Sequence, residues 1–438
     1  MSDKKYTPCI ILPGIGQSKV QQVDAGGNKV KMAWPLDVNG EALLGKLKGS
    51  MMKMMLFRKD AGFSDKVAEV VKEAIDPIAV NTDGSMKNTL KVVSYPYSLA
   101  KCSADEKRYI YRMVPLQKLA DVIGEENLYF FAYNSFGQPY ETAAELDEFI
   151  QQVKSETGSE KVNLVPVSLG GALSTAYFDA YGSKNDVKRV LYFVACLQGS
   201  QLIGDILDKN INTHSVIPVI ELLASKSAAE KLGSLLGMLP AGVEEKCFEK
   251  AVDALLETTV VNCPSMWSII PPEMYPALAD RYLSDKKFAV LREKTDRYFK
   301  AQKNIRDLLT ERAENGTQFF MIAGYNLPLV PISNSTSLCS DSIIHTSSCT
   351  LGATTAPLGG TLENADGTYL SPDKVVDAST GFFPDTTWYF KDQQHDNTAY
   401  NDTALEIASR VLWDDSFTDI RSDPALPQFG VMSDNRKK

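Results

Sequence analysis

The sequence predicts an α/β protein: a mostly parallel central sheet flanked by helices, with a helical cap or lid inserted into it. Short apolar, β-rich runs alternate with amphipathic helical stretches over much of the chain, the pattern of strand–helix–strand units. The stretch "KVNLVPVSLGGALSTAYF" (Lys161–Phe178) joins a buried strand to a helix of small and apolar residues and leaves one polar residue, Ser168, at the turn. The composition allows a large core, with 438 residues, 44% hydrophobic and 23% charged, enough for one large domain with insertions or two ordinary ones.

Five strands are expected at "CIILPG" (Cys9–Gly14), "NLYFFAYN" (Asn127–Asn134), "KVNLVPV" (Lys161–Val167), "VKRVLYFVAC" (Val187–Cys196) and "TQFFMIAG" (Thr317–Gly324). Between the second and third, "YETAAELDEFIQQVKSETG" is amphipathic and stops at Gly158, a helix with a C-terminal glycine signal. Units of this length imply parallel pairing through helical crossovers. The rhythm breaks over residues 36–115, with a Met- and Lys-rich run followed by irregular sequence, and over 202–310, with helical stretches and no convincing buried strand. The expected organisation is a core of 1–35, 116–201 and 311–438, an insertion at 36–115 with a lid or interface helix, and a mostly helical cap at 202–310 covering a sheet edge. Residues 325–386 are rich in Ser, Thr, Gly and Asn, a long loop segment of the kind that usually carries function.

Several function classes are disfavoured. A net charge of -9 argues against a general nucleic-acid or anionic-lipid binder and leaves room only for local basic patches. Seven scattered cysteines without a C-x-x-C pair exclude zinc ribbons and thioredoxin-like sites and read mostly as buried free thiols, although Cys339 and Cys349 are spaced to close a small loop. The three histidines, His214, His345 and His395, are not spaced as metal ligands, and no cofactor is expected. Gly14 and Gly16 follow a strand, but Lys19 stands where a dinucleotide fingerprint needs its third glycine. The start "MSDKKYTPCIILPG" does not read as a signal peptide, and no segment approaches a membrane span. The expectation is a soluble protein, cytoplasmic or secreted with a leader removed.

Four features then fall in one order: "PGIGQS" (Pro13–Ser18) ending the first strand, Ser168 at its turn, "SDSIIHTSS" (Ser340–Ser348), and "FKDQQHDNTAYNDTALEIASRVL" (Phe390–Leu412), which places His395 between a strand and the last helix. This is the equipment of nucleophilic acyl transfer. A serine hydroxyl attacks only when a histidine takes its proton, and the histidine needs a carboxylate to fix its tautomer. A strained elbow lifts the serine off the sheet, and the developing oxyanion meets the N–H of the next residue, Leu169, and one from the loop after the first strand, Ile15. Each residue also has an ordinary reading: Ser168 as a helix cap, His395 as a solvated loop histidine, the aspartates as Asx turns.

"IILPGIGQS", "FFAYNSFGQPYETAAELDEFIQQV", "VNLVPVSLGGALS" and "HDNTAYNDTALEIASRVL" resemble the lecithin–cholesterol acyltransferase-like and lipase branches of the α/β hydrolases. The resemblance covers most of the sheet core and neither insertion. It implies an α/β-hydrolase fold whose sheet begins at the strand before the oxyanion loop, and ester hydrolysis or acyl transfer on a lipid. Asp341 resembles the family's acid, which is followed by two apolar residues and a serine pair; Asp366, with its D-G-T opening, is the alternative acid. The chain departs from the family at Pro166, where a glycine is usual before the serine, and at Tyr133–Phe136, "YNSF", which lacks the usual charged pair. The leading expectation is a serine hydrolase of lipid carboxylic esters: a lipase, phospholipase or esterase. The alternatives are an acyltransferase to an alcohol and a catalytically silent lipid- or partner-binding protein on the same fold.

Residues 43–59, "LLGKLKGSMMKMMLFRK", complete the reading. Leu44, Leu47, Met51, Met54 and Met55 follow helical spacing, and Lys46, Lys48, Lys53, Arg58 and Lys59 are basic with no acid among them. Such a helix either packs on the body or makes transient contact with a membrane or lipid interface beside the active-site mouth.

Overall fold

The computed structural model describes residues 6–36, 40–212, 239–240, 242–363 and 367–437. In chain order its strands are β1 (Cys9–Leu12), β2 (Val20–Val23), β3 (Lys29–Trp34), β4 (Leu90–Val92), β5 (Leu128–Phe130) and β6 (Val162–Pro166). They continue with β7 (Val187–Phe193), β8 (Gln318–Tyr325), β9 (Thr354–Thr355), β10 (Val376–Asp377), β11 (Thr387–Lys391) and β12 (Phe429–Val431). Seven of them form one sheet in the order β12-β11-β8-β7-β6-β1-β5, and every neighbouring pair in it is parallel. The sheet is entered at β1, which lies directly beside the β6 that leads to Ser168, and β5 closes that edge. The order, with its reversal at β1 and a serine turn after β6, is that of the α/β-hydrolase fold.

The near-continuous apolar strands follow from burial on both faces, as a parallel sheet requires. Ile10, Leu12, Leu164, Val190, Tyr192, Phe319, Met321 and Tyr389 point into one core. The residues between them, Cys9, Ile11, Val165, Leu191, Phe193, Phe320, Ile322, Trp388 and Phe390, point into the other. That is the two-residue period of a strand, and each fully buried aliphatic or aromatic side chain contributes about 1.5–3 kcal/mol. The first core is covered by α5 (Pro139–Thr157) and α6 (Gly170–Tyr181) together with the helices Ala289–Lys303 and Ile305–Glu314. The second is covered by α3 (Ala104–Met113), α4 (Gln117–Ile123) and the last helix, Asp402–Trp413. The C-terminal part of the segment that reads as a cap therefore lies on the sheet face beside α6 and supplies the crossover into β8.

α5 forms where its pattern predicts. Tyr140, Ala143, Leu146, Ile150 and Val153 make its buried stripe, Pro139 occupies the first turn, and Gly158 ends it at φ 61°. The Gln138 side chain caps it by accepting the Glu141 N–H at 2.8 Å. Pro166 is accommodated as the last residue of β6, paired with Leu12 on the β1 side. The amide that it lacks belongs to the β7 side, where Val162 and Ser168 donate to Asp186 and Phe193. The β6–β7 ladder runs only to Leu164 and resumes as a bridge at Val167.

Two smaller sheets were not legible as strands. β2 pairs antiparallel with both β3 and β4, so residues 20–34 and 90–92 fold together after the first strand. β9 and β10 form a short antiparallel pair inside the Ser/Thr-rich segment.

α1 (Gly40–Phe57) is helical and packs beside α2 (Phe63–Ile75) and the helix Val243–Leu255. Its buried seam is Leu43, Leu47, Met51 and Met54, so the face expected from spacing is corrected at one end. Met55 lies just past that seam and is 48% exposed, alongside Met52 at 72%, Leu56 at 77% and Phe57 at 58%. The Leu44 side chain lies outside the described residues. All seven cysteines are buried and free, Cys339 and Cys349 included. Among the described residues no helix is long and apolar enough to cross a membrane.

Candidate active site

Ser168 sits at φ 50°, in the left-handed region that costs a non-glycine residue about 1–2 kcal/mol. The surrounding contacts explain why the turn is held there. A Cβ on Gly170 would lie 2.4 Å from the Leu12 carbonyl oxygen, and one on Gly171 would lie 3.0 Å from Ala195 Cβ. The glycine pair thus lets α6 approach the ends of β1 and β7. The Ser168 N–H donates to the Phe193 carbonyl at 3.3 Å, and its carbonyl accepts the Cys196 N–H at 2.9 Å. Val194, immediately after β7, is itself strained at φ 44°. Strain of this kind collects at functional turns.

The candidate acid and base, Asp341 and His395, meet across two loops on the same sheet edge. His395 Nδ1 lies 2.7 Å from Asp341 Oδ2, with Asp341 1% and His395 7% exposed. The other carboxylate oxygen, Oδ1, accepts N–H bonds from Ile343 at 3.0 Å and Ile344 at 2.8 Å. The His395 N–H also donates to the Asp341 carbonyl at 2.8 Å. A carboxylate so placed accepts a hydrogen bond from Nδ1–H, which keeps the proton on Nδ1 and leaves Nε2 with its lone pair, as a general base requires. Burial disfavours a charged His395, but the Asp341 charge and hydrogen bond outweigh it and raise its pKa above 6.5. Gly324, near the end of β8, makes room for this meeting: a Cβ there would lie 2.4 Å from the Gln393 carbonyl and 2.8 Å from Asp341 Cβ. Ser342 at φ 83° and Asp392 at φ 57° flank the pair. The base loop is anchored by buried Gln393, whose Oε1 accepts from Asn401 Nδ2 at 2.8 Å, while Asn401 caps the last helix.

The competing residues are placed differently. Burial pushes His345 down to about 4 against the opposing pull of Asp341, and its Nδ1 has no partner among the described residues. Asp366 and His214 lie outside the described residues. Burial also raises the Cys196 and Cys349 thiols, and the nearby Asp341 charge adds to it, so neither offers a thiolate. Among the described residues no three His, Cys, Asp or Glu side chains come together as a metal site.

The loop after β1 lies against the Ser168 turn. A Cβ on Gly14 would stand 3.0 Å from Ser168 Cβ and 3.5 Å from its Oγ. Among the described residues, the N–H groups of Ile15 and Leu169 donate no hydrogen bond within the protein. Sequence reading missed the residues that hold this loop, Tyr133, Trp34 and Ser135. For Tyr133 and Ser135 the signal was "YNSF", which lacks the charged pair of the family it resembles, whereas the sequence offered no signal for Trp34.

No family model matches the chain, and no curated protein matches it in sequence. Solved structures do resemble it. The Bacillus licheniformis lipase BlEst2 in its mature form aligns over 68% of this chain and 84% of its own at 11% identity, with a TM-score of 0.31. The Tle4–Tli4 complex aligns over 92% and 97% at 13% identity, TM-score 0.37. Phospholipase PlaB from Legionella pneumophila aligns over 76% and 60% at 12% identity, TM-score 0.32. Likenesses this distant say nothing of substrate, and the fold assignment rests on the strand order and the elbow.

Proposed function

We propose that the protein is a serine hydrolase that cleaves carboxylic esters of lipids through an acyl-enzyme on Ser168. The observation that carries this reading is the buried Asp341–His395 pair, 2.7 Å apart, on the sheet edge that also carries the strained Ser168 turn. In the first step Ser168 Oγ bonds to the ester carbonyl carbon while His395 Nε2 takes the hydroxyl proton. Asp341 holds the imidazolium, and the N–H groups of Ile15 and Leu169 bond the oxyanion. Collapse of the tetrahedral species breaks the ester C–O bond, and His395 returns its proton to the leaving alcohol. Water then enters by the same route and releases the acid.

The lipid-surface contact in this reading is α1. Its exposed Met52, Met55, Leu56 and Phe57 form an apolar ridge next to Lys48, Lys53, Arg58 and Lys59, none of which has an acidic partner among the described residues. In a chain of net charge -9, a local apolar ridge with a cationic rim fits an anionic head-group layer.

The experiment is a chain-length series of nitrophenyl esters beside a phospholipid, each with and without an alcohol acceptor. The reading expects ester turnover that requires Ser168 and yields free fatty acid with the acceptor present. Acyl product on the alcohol alone would replace hydrolysis by transfer, and no turnover of any ester would overturn the reading.

A further inference from the structure

The loop after β1 is gripped by side chains from three separate parts of the chain. The Pro13 carbonyl accepts the Tyr133 hydroxyl at 2.6 Å, and the Gln17 carbonyl accepts the Tyr109 hydroxyl at 3.0 Å. The Gly14 N–H donates to Gln17 Oε1 at 2.6 Å, and the Gln17 N–H donates back to the Gly14 carbonyl at 3.2 Å. Gly16 is held on both sides: its N–H donates to Ser135 Oγ at 3.1 Å, and its carbonyl accepts Trp34 Nε1–H at 2.8 Å. From Gly14 to Gln17, among the described residues, the single N–H left without a partner is that of Ile15.

Each holder has a structural reason to be there. Trp34 ends β3 opposite Val20 of β2, so the small antiparallel sheet returns the chain to the loop that it has just left. The approach is close enough to require glycine, because a Cβ on Gly16, at φ +71°, would lie 2.8 Å from Trp34 Nε1. The Trp34 ring also packs edge-on against Phe136, with centroids 5.3 Å apart. Ser135 is 3% exposed, and its carbonyl accepts the Ser265 hydroxyl at 2.7 Å. The same segment, 262–271, bonds to the loop after β7, where the Ser200 N–H donates to the Ile269 carbonyl at 2.7 Å.

We propose that Trp34 and Ser135 are positioning residues that clamp Gly16 from opposite sides and so keep the Ile15 N–H aimed at the oxyanion formed on Ser168. The proposal rests on the acyl-enzyme reading and adds to it the residues that keep one donor in place. An oxyanion donor contributes only when its direction is fixed before the charge develops. With either grip removed, the peptide on one side of Gly16 turns more freely, while the ester in its ground state loses nothing that it was bound by.

The test compares wild type, Ser135→Ala and Trp34→Phe, the second retaining a ring against Phe136 but no N–H. Three quantities are measured: kcat and KM on a short soluble nitrophenyl ester, the inhibition constant of a trifluoromethyl ketone, and Tm. The serine adds to the ketone carbonyl to give a tetrahedral oxyanion, so its affinity reports the oxyanion hole. Each variant is expected to lose about 10- to 100-fold in kcat, against the ~10²–10³ for deleting a donor outright. KM should stay within about twofold, and ketone affinity should weaken in parallel with kcat. Wild-type kcat and ketone affinity in both variants would overturn the proposal, as would losses that merely track the unfolded fraction. A wild-type protein without Ser168-dependent turnover would overturn the acyl-enzyme reading beneath it, a distinguishable result.

Discussion

Replacing Asp341 by Asn removes one charge from a site where both carboxylate oxygens are committed. Oδ1 accepts two N–H bonds, from Ile343 and Ile344, and Oδ2 faces His395 Nδ1 at 2.7 Å. The asparagine oxygen must take the position facing the two backbone donors, because an NH₂ there would oppose them both. Its NH₂ then points at His395 Nδ1 and donates to it, which moves the imidazole proton to Nε2. A histidine protonated on Nε2 cannot accept the Ser168 proton. The expected loss in kcat is about 10⁴-fold, the scale of a wrong-tautomer change in a Ser-His-Asp site, equivalent to about 5 kcal/mol of barrier. The pH profile moves as well. In the wild type the base must be neutral and its pKa lies above 6.5, so kcat/KM should rise with pH through that raised value. In Asp341→Asn the raising charge is gone and burial remains, so the acid limb of the residual activity should shift below 6.5. The assay is the pH dependence of kcat/KM on a soluble ester, with circular dichroism to confirm folding. An Asp341→Asn enzyme within tenfold of wild type, with an unmoved acid limb, would refute the assignment of the acid.

Gly170→Ala should lower stability by about 1–3 kcal/mol or more, since the new Cβ would meet the Leu12 carbonyl oxygen at 2.4 Å; an unchanged urea midpoint would contradict the close approach. Met55→Asp with Leu56→Asp, at positions 48% and 77% exposed, should leave Tm and soluble-ester turnover within twofold and reduce activity on anionic phospholipid vesicles about tenfold or more. Equal losses on both substrates would remove α1 from the interface.

The parts of the fold that could be read in the sequence are those where local chemistry and burial agree. Strands such as "CIIL" and "LYF" are apolar throughout because both sheet faces are covered, and α5 carries its own stripe, cap and stop. The turn at Ser168 was legible because two glycines follow it for a packing reason, the nearness of Leu12 and Ala195. The Asp341–His395 contact joins positions 54 apart in sequence, and chain order alone could rank the acids but not bring either to the base. β2, β3 and β4 were missed because their residues are mostly polar or half-exposed, so even the alternation of "KVKM" in β3 marks no buried face. Trp34 was missed with them, since its role exists only once the hairpin has folded it over Gly16. On α1 the helix was predictable, but which of Met51, Met54 and Met55 turned inward depended on the helix Val243–Leu255, far along the chain.

The central claim is that Ser168 is an activated nucleophile. Its most direct test is to treat the folded protein with a fluorophosphonate, in which the serine oxygen displaces fluoride at phosphorus, and to locate the adduct by peptide mass spectrometry. The account predicts a single adduct on Ser168 within the peptide carrying "VPVSLGGALS", abolished in Ser168→Ala and slowed by orders of magnitude in His395→Ala. An unlabelled Ser168 in folded protein, or an adduct confined to another residue, would contradict it.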